Sequence, residues 1–229
     1  MNMKILGICF SGSLRSLEYT LTNIYSKLIE NNKNKYKIII FLYMPNDDHR
    51  NNVNLFNKFN IEINYEIKDD VELKLSNVNW KNFGSKIKNN KCGIQGYLQQ
   101  LYGIEKSFEL LKNYEKENNM KFDIICRSRT DIIYMNDINI DSYDMNKITI
   151  PNFHGFDGIN DRFAIGNREN MKIYMEMYSN LIKLNNFTMF FQAEKYCKYN
   201  LENNNINYIK DNNIKFNRVK FNGVVSKDF

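Results

Sequence analysis

Two arginines and an aspartate follow directly on a short apolar segment near the middle of the chain. The apolar segment, Phe122 to Cys126, has the composition of a buried strand. The charged residues that follow it are Arg127, Arg129 and Asp131. In open α/β sheets, ligands bind just beyond the carboxyl ends of the strands. Guanidinium groups bind phosphate oxygens, and carboxylates bind Mg²⁺ or Mn²⁺. We therefore predict a site for a phosphorylated ligand, with Asp131 holding a divalent cation.

The three charged residues alternate with Ser128 and Thr130. Alternate residues of a strand share one face, so extended geometry as far as Asp131 would direct all three charged side chains into one cleft. The alternative is a solvated strand end with local ion pairs, each contributing less than about 1 kcal/mol. We favour the binding site because three charged side chains directly follow a buried strand.

A glycine-rich segment from Gly158 to Gly166 forms a second polar cluster further along the chain. Glycines allow the backbone to approach a ligand closely, and a carboxylate placed there could act as general base on an acceptor hydroxyl. The alternative is an aspartate that only shapes its turn by bonding to nearby backbone. We predict that Asp161 is the catalytic base. Asn160 is predicted to orient the bound ligand, and Arg162 to pair with phosphate or with Asp161.

His154 lies beside the glycines of the same loop and is one of only two histidines in the chain. It could complete the metal site with Asp131 or contact the acceptor molecule. An isolated histidine in a loop is more often incidental. Glu194 could face the same cleft from its predicted helix, but an exposed helical position is the simpler interpretation.

A third candidate segment follows the first apolar stretch of the chain. Gly12 and its small neighbours can admit a nucleotide, and Arg15 could reach the phosphates of that nucleotide. The glycine spacing is not that of the dinucleotide-binding fingerprint. The alternative is a strand-to-helix turn with Ser16 as the helix cap, which leaves Arg15 without an explanation.

The elements that position these residues alternate between strand and helix in the first part of the chain. Apolar runs predict strands and helical spacing predicts helices, and this alternation favours a parallel α/β core. The predicted strands are 3–10, 36–43, 61–67, 122–126, 147–150 and 162–165, and the late strands 206–209 and 214–219 are predicted to be antiparallel. The predicted helices are 17–29, 53–59, 94–117, 168–184 and 188–201.

Residues 68–92 lack this periodicity and are rich in asparagine and lysine. A long irregular segment inside a compact domain is usually a binding loop or a disordered insertion. We see no internal repeat and no linker elsewhere. The prediction is therefore one domain over residues 1–229 with an irregular insertion at about 68–92.

The composition excludes several classes of protein. No apolar stretch approaches the roughly 18 residues of a membrane span. The four cysteines form no CxxC pair, which argues against zinc and favours free thiols in a reducing compartment. The net charge of +6 is spread among asparagines without a nucleic-acid-binding motif, so it favours anionic ligands but not nucleic acid. We expect a cytoplasmic protein.

The segments from Gly12 to Arg15, from Phe122 to Asp131 and from Gly158 to Gly166 together resemble nucleotide-sugar glycosyltransferases of the GT-A type. More narrowly, they resemble small glycosyltransferase-like proteins of large DNA viruses and bacteria, which combine an Arg-x-Arg-x-Asp strand end with a later Asn-Asp turn. The resemblance spans most of the chain. It implies a single GT-A-like domain with a twisted, mostly parallel central sheet flanked by helices, a nucleoside-diphosphate-sugar donor and usually Mn²⁺.

The same resemblance implies a role for individual residues. Asp131 corresponds to the metal-binding acid, Arg15 lies near the nucleotide or diphosphate, and Asp161 corresponds to the base of inverting members. The chain has one acid where many sugar transferases have Asp-x-Asp. In some relatives cationic side chains replace the ion, and Arg127 and Arg129 could do so here.

We therefore predict a glycosyltransferase, of the hexosyl or a related type, that moves a sugar from a nucleoside-diphosphate donor to a glycan or protein hydroxyl. It would act in the cytoplasm, which is the host cytoplasm for a viral protein. The alternative is a non-catalytic accessory protein that binds sugar nucleotides or glycans, which the missing second acid favours. A basic nucleic-acid-binding module is a third possibility and predicts affinity that falls steeply with salt. The predicted donor-binding residues are Gly12, Arg15, Arg127, Arg129, Asn160 and Arg162, the catalytic residue is Asp161, and the metal ligands are Asp131 and His154.

Overall fold

Four parallel strands form the first half of a seven-stranded sheet in the computed structural model, which describes residues 3–69, 91–184 and 192–227. Their spatial order is β3-β2-β1-β4, and neighbouring pairs are all parallel. The central strands are rich in isoleucine and are buried on both faces, as parallel strands between helices usually are. The bounds are β1 (Lys4–Ser11), β2 (Tyr36–Pro45), β3 (Glu62–Lys68) and β4 (Ile124–Ser128). These four predicted strands are confirmed.

Within the described ranges, six shorter strands complete the two sheets. β7 joins the main sheet antiparallel to β4, β6 pairs antiparallel with β7, and β8 pairs parallel with β6. β5, β9 and β10 form a separate antiparallel sheet. The bounds are β5 (Ile132–Tyr134), β6 (Ile148–Pro151), β7 (Ala164–Asn167), β8 (Tyr208–Asp211), β9 (Phe216–Val219) and β10 (Val225–Ser226).

Only one of the two late strands that the sequence predicts to be antiparallel has that direction in the structure. The prediction is correct for β9 but wrong for β8, which runs parallel to β6. Several helices separate β7 from β8, and a long crossover of this kind allows the chain to return in the parallel direction. The mostly parallel α/β sheet flanked by helices is the predicted fold class.

The α-helices lie close to their predicted positions. The predicted helix 168–184 is divided into two helices at Glu176, and the first helix continues into a π-helical segment, Tyr25–Glu30. Short 3-10 helices cover Arg50–Phe59 and Ile140–Ser142. The α-helices are α1 (Leu17–Ile24), α2 (Lys91–Glu117), α3 (Arg168–Met175), α4 (Met177–Ile182) and α5 (Ala193–Asn203). Within the described residues, no helix is long and apolar enough to cross a membrane.

Each face of the main sheet carries its own hydrophobic core. Alternate residues of β1 point to opposite faces, so Leu6, Ile8 and Phe10 join the core beneath α1, while Cys9 joins the core beneath α2. The predicted insertion at about 68–92 lies largely outside the described residues, as does the start of the predicted helix 188–201.

The contact between β1 and α2 depends on Gly7. A Cβ atom added at Gly7 would lie 2.5 Å from Leu111 Cδ1 and 3.1 Å from Phe122 Cδ1, so this position of β1 has no room for a side chain. Protein cores are close-packed and resist an increase in volume. The close approach sets the distance between α2 and the sheet.

We expect Gly7→Val to lower the free energy of unfolding by about 1–3 kcal/mol, because the larger side chain overpacks the core beneath α2. For a chain of this length that corresponds to a melting temperature lower by about 2–4 °C for each kcal/mol. Gly96→Ala is the control, since no heavy atom lies within 4 Å of a Cβ added there. Equal melting temperatures for the two variants would contradict the close contact.

Candidate functional site

A cavity of about 480 Å³ lies at the carboxyl ends of β1, β2, β3 and β4. This volume falls in the range of ordinary small-molecule sites. The lining brings together four of the predicted donor-binding residues, which come from two distant segments of the sequence. The lining residues are Ser11, Gly12, Ser13, Arg15, Tyr43, Pro45, Asp47, Lys68, Asp69, Gly96, Gln99, Gln100, Tyr102, Gly103, Arg127 and Arg129.

The strand order explains why the cavity forms at this place. The chain proceeds from β1 to β2 and β3 on one side, whereas β4 lies on the other side of β1. Loops leaving two such strands diverge, and the gap between them is the usual ligand site of an open α/β sheet. Gly12 turns the chain out of β1 with a φ of 106°, and its N–H donates to the carbonyl of Tyr43 at 3.0 Å. Glycine adopts this conformation without a steric penalty.

Arg127 presents a buried positive charge to the cavity. Its side chain is 2% exposed, and Nη1 donates to the backbone carbonyl of Arg162. Burial lowers the pKa of the Arg127 guanidinium, but an arginine remains protonated in proteins. Within the described residues, Nε has no hydrogen-bond partner and the guanidinium forms no ion pair. The carboxylates of Asp161 and Asp131 interact with this charge from a distance, but neither pairs with it directly, so the position favours an anionic ligand.

Arg129 and Asp131 bind each other through two hydrogen bonds. Nε of Arg129 donates to Oδ1 of Asp131 at 2.6 Å, and Nη2 donates to Oδ2 at 2.7 Å. β4 ends at Ser128, so the extended geometry expected as far as Asp131 is not present. Burial alone would raise the pKa of Asp131, but the charge and hydrogen bonds of Arg129, together with the charge of Arg218, hold it below its ordinary value.

The two predicted metal ligands do not form a cation site in this arrangement. Both carboxylate oxygens of Asp131 already accept hydrogen bonds from Arg129. His154 Nδ1 lies 3.1 Å from Nη1 of Arg162, so that ring nitrogen is engaged with a guanidinium group. Among the residues that the structure describes, no group of three His, Cys, Asp or Glu side chains could hold a metal ion. Asp131 and His154, as they are placed here, therefore form no shared site for a divalent cation.

Asp161 lies behind the cavity wall. Its side chain is almost completely buried, and Oδ2 accepts a hydrogen bond from Nε2 of Gln100 at 2.7 Å. The hydroxyl of Tyr174 donates to the backbone carbonyl of Asp161 at 3.0 Å. Gln100 lines the cavity, so one hydrogen bond separates Asp161 from the ligand space. The structure thus brings Asp161 to the same site as Arg127.

Asn160 and Arg162 shape the loop that carries Asp161. Asn160 Nδ2 donates to the carbonyl of Phe153 at 2.9 Å, and Asn160 Oδ1 accepts from the Arg162 N–H at 2.9 Å. Neither residue is among those that line the cavity. The side-chain amide of Asn160 is thus engaged with the backbone of its own loop, which is how asparagine commonly stabilises a turn.

Helix α5 holds the same loop from the other side. The N–H of Ile159 donates to the carbonyl of Glu194 at 3.1 Å, and a Cβ added at Gly158 would lie 2.1 Å from that carbonyl oxygen. The Glu194 side chain is half-buried, which differs from the exposed position expected from the sequence. Burial raises the pKa of Glu194, and the nearby charge of Asp161 raises it further.

Helix α2 contributes cavity residues that the sequence analysis did not identify. Gly96, Gln99, Gln100 and Gly103 have the spacing of one helical face, and all four line the cavity. A Cβ added at Gly103 would lie 3.3 Å from the Cβ of Ser11, so α2 passes very close to the end of β1. Two glycines that bracket two glutamines at helical spacing are the signal that could have indicated this face.

Comparison with known families assigns the chain to a family whose description names no activity. The family model for DUF7796, a domain of unknown function, matches residues 1–220. The chain therefore belongs to this family. A search of curated proteins finds no match.

Solved structures provide a fold relationship. Core-mannan synthase A (CmsA/Ktr4) from Aspergillus fumigatus, in its Mn/GDP form, has a TM-score of 0.55 and 10% identity, and the match covers 93% of this chain and 74% of that one. The apo form of glycosyltransferase GlyE from Streptococcus pneumoniae TIGR4 has a TM-score of 0.46 and 10% identity, with 91% and 46% covered. The likeness to the mannan synthase establishes a shared fold and confirms the predicted mixed α/β class.

We expect Asp131→Asn to lower the free energy of unfolding by about 2 kcal/mol at pH 7, because Arg129 loses a charged hydrogen-bond acceptor. The folded-state pKa of Asp131 lies below the unfolded value, so its carboxylate contributes stability that is present near neutral pH and is lost as the pH falls through the folded value. The difference between variant and wild type should therefore shrink in acid. Urea unfolding from pH 7 to pH 3 measures it.

Asp137→Asn is the matched control for this measurement. Asp137 pairs with Lys27 at 2.7 Å, but its side chain is 59% exposed, and exposed pairs contribute little to stability. A loss for Asp131→Asn no larger than that for the control, or a loss that does not depend on pH, would contradict the assigned pairing.

Proposed function

We propose that this chain is a glycosyltransferase that binds a nucleoside-diphosphate sugar in the cavity at the ends of β1 to β4. The sugar would be transferred to a hydroxyl group of a glycan or protein. The observation that carries the proposal is the buried guanidinium of Arg127, whose Nε has no partner among the described residues and whose side chain lines the cavity. A diphosphate would supply the missing negative charge and acceptor oxygens.

The distribution of charge along the cavity supports an orientation for the donor. Arg15 follows β1, and Arg127 and Arg129 lie at the carboxyl end of β4, whereas Asp47 and Asp69 follow β2 and β3. Four neighbouring strands span three inter-strand spacings, or about 14 Å. An elongated ligand with phosphates at one end and hydrogen-bond donors at the other matches this gradient. We therefore place the diphosphate at the arginines and the nucleoside near the two aspartates.

The fold relationship supports the same class of ligand. The mannan synthase that shares the fold is described in a Mn/GDP form, so a nucleoside diphosphate is a ligand of that protein. For the present chain, we propose a donor of this class. Asp131 and His154 form no shared cation site, so the proposal assigns the phosphate charge to Arg15, Arg127 and Arg129. A requirement for Mn²⁺ or Mg²⁺ is an experimental variable in the tests below.

Asp161 is the proposed general base. Its carboxylate would take the proton of the acceptor hydroxyl while that oxygen forms a bond to the anomeric carbon of the sugar. The bond between that carbon and the diphosphate oxygen breaks in the same step, and the diphosphate leaves with its charge facing the arginines. The hydrogen bond from Gln100, which lines the cavity, connects Asp161 to the ligand space and supports this role.

A non-catalytic accessory protein that binds sugar nucleotides or glycans is the second candidate. It is favoured by the bidentate pairing of Asp131 with Arg129, which occupies the only acid of the Arg-x-Arg-x-Asp segment. Such a protein would bind the donor but would neither transfer the sugar nor hydrolyse the donor with any acceptor. Both candidates are proposed to act in the cytoplasm, because Cys9, Cys126 and Cys197 are buried free thiols.

We expect Arg127→Met to separate binding from stability. Removal of a buried charge that forms no direct ion pair among the described residues should leave the melting temperature of the ligand-free protein unchanged or raise it. The same change should weaken the binding of UDP or GDP at least about tenfold, because the diphosphate loses a charged donor. Thermal shift with each nucleotide, with and without Mn²⁺, measures both effects through the stabilisation that a ligand gives to the native state.

Arg50→Met is the control for this experiment, since Arg50 is exposed and is not among the residues that line the cavity. It should bind nucleotides as the wild type does. If Arg127→Met also retains wild-type affinity for both nucleotides, the arginine does not contact phosphate and the proposed donor site is wrong.

We expect Asp161→Asn to lower the rate of sugar transfer at least about 100-fold, because the amide cannot accept the proton of the acceptor hydroxyl. Nucleotide affinity should not change. Asp157→Asn is the matched control, since Asp157 lies in the same loop with its side chain 85% exposed. A panel of nucleotide sugars and glycan acceptors, read by product mass, measures transfer. Equal turnover in Asp161→Asn and wild type would remove Asp161 from the mechanism.

A further inference from the structure

Gln100 connects the cavity to Asp161. Its side chain lines the cavity, and its Nε2 donates to Oδ2 of Asp161 at 2.7 Å. A glutamine amide has two N–H donors and a carbonyl acceptor, so it can bind a carboxylate while it also faces a ligand. Among the described residues, this is the one side-chain hydrogen bond that the Asp161 carboxylate accepts. The orientation of that carboxylate therefore depends on Gln100.

The backbone fixes Gln100 at this point of the site. Gly103 lies three residues further along α2 and permits the close approach of the helix to Ser11 at the end of β1. On an adjacent face of the helix, Leu101 and Ile104 are buried in the core beneath α2. The helix therefore cannot rotate or move away without loss of core contacts. Gln100 is presented to the cavity by a rigid element, which is a requirement for accurate placement of a functional group.

The chemistry of an amide donor differs from that of a cation at the same position. A guanidinium or ammonium group beside Asp161 would form an ion pair and reduce the basicity of the carboxylate strongly. The neutral amide of Gln100 fixes one oxygen by a hydrogen bond, and the carboxylate keeps the second oxygen for another partner. A carboxylate held in this manner suits a general base, which must be oriented and still accept a proton.

Several groups on neighbouring elements act on Asp161 electrostatically. The guanidinium of Arg127 on β4 and the carboxylate of Glu194 at the start of α5 both lie close enough to interact with its charge. Tyr97 of α2 and Cys197 of α5 are buried nearby, and burial raises the pKa of each, so both remain neutral. The hydroxyl of Tyr174 from α3 binds the Asp161 backbone rather than its carboxylate. None of these groups supplies the hydrogen bond that Gln100 supplies.

We propose that Gln100 is a positioning residue for the transfer reaction. Its side-chain amide would hold the carboxylate of Asp161 at the cavity wall, with one oxygen directed to the acceptor hydroxyl. This inference rests on the proposed function and assigns to α2 a role that the strand-end motifs do not contain.

The test compares steady-state kinetics over a range of pH for the wild type, Gln100→Leu and Gln99→Leu. Gln99 also lines the cavity but makes no hydrogen bond to Asp161. Gln100→Leu should lower kcat about 10- to 100-fold, the effect of a lost hydrogen bond to a charged group, while the donor KM changes little. The acid limb of its pH profile should move to higher pH, because a carboxylate without its donor is protonated more easily.

Gln99→Leu distinguishes this role from a general disturbance of the cavity. Any effect of that change should fall on the donor KM, and the acid limb of the kcat profile should stay in place. Gln100→Glu adds a second comparison, since the introduced carboxyl can donate a hydrogen bond only while it is protonated. This variant should keep part of its activity in acid and lose it as the pH rises. Melting temperatures establish that all three variants are folded.

The outcomes separate the inference from the proposed function. A wild-type protein that transfers no sugar from any donor contradicts the proposed function and the role of Gln100 with it. An active wild type for which Gln100→Leu and Gln99→Leu give the same pH profile contradicts the role of Gln100 alone. A lower kcat with a displaced acid limb in Gln100→Leu only supports the positioning role.

Discussion

The buried charge of Arg127 is the constraint on which the site depends. β4 is the strand at which the run of four parallel strands meets the antiparallel strand β7. Arg127 lies near the carboxyl end of β4, paired in register with Ala164 of β7. The backbone carbonyl of Arg162 accepts a hydrogen bond from one nitrogen of the guanidinium, Nε has no partner among the described residues, and Arg127 lines the cavity. An arginine whose donors were all paired would gain little from a ligand. A buried guanidinium with an unpaired donor gains a hydrogen bond and an opposite charge when an anion binds.

Two elements fix the remaining groups relative to that charge. Helix α2 uses one face for the core and another for the cavity, so the packing that stabilises the fold also places Gln100. The loop between β6 and β7 carries Asp161 and is tied to α5 through Glu194. Three non-glycine residues of this loop, His154, Phe156 and Asp157, have positive φ angles. Such conformations are costly and persist only where the surroundings impose them.

The sequence predicted the positions of strands and helices better than the way these elements pair and contact one another. The positions of β1 to β4 could be predicted, because continuous apolar, isoleucine-rich runs are typical of strands buried in a parallel sheet. The direction of β8 was not readable, since the pattern of a short strand contains no information about its partner. The partner of Asp131 could not be predicted either. A carboxylate suits a cation, but β4 ends at Ser128, and both oxygens of Asp131 accept hydrogen bonds from Arg129.

The sequence by itself determined which residues carry charge after a buried strand and which helices are long enough to flank a sheet. It therefore indicated Arg15, Arg127 and Arg129 as partners of one ligand, and the structure places all three around one cavity. Only the tertiary structure decided that Asp161 bonds to Gln100, because these residues lie on a loop and a helix with no periodic relationship. Contacts of that kind are set by how elements pack, which is a property of the whole core and not of any local segment.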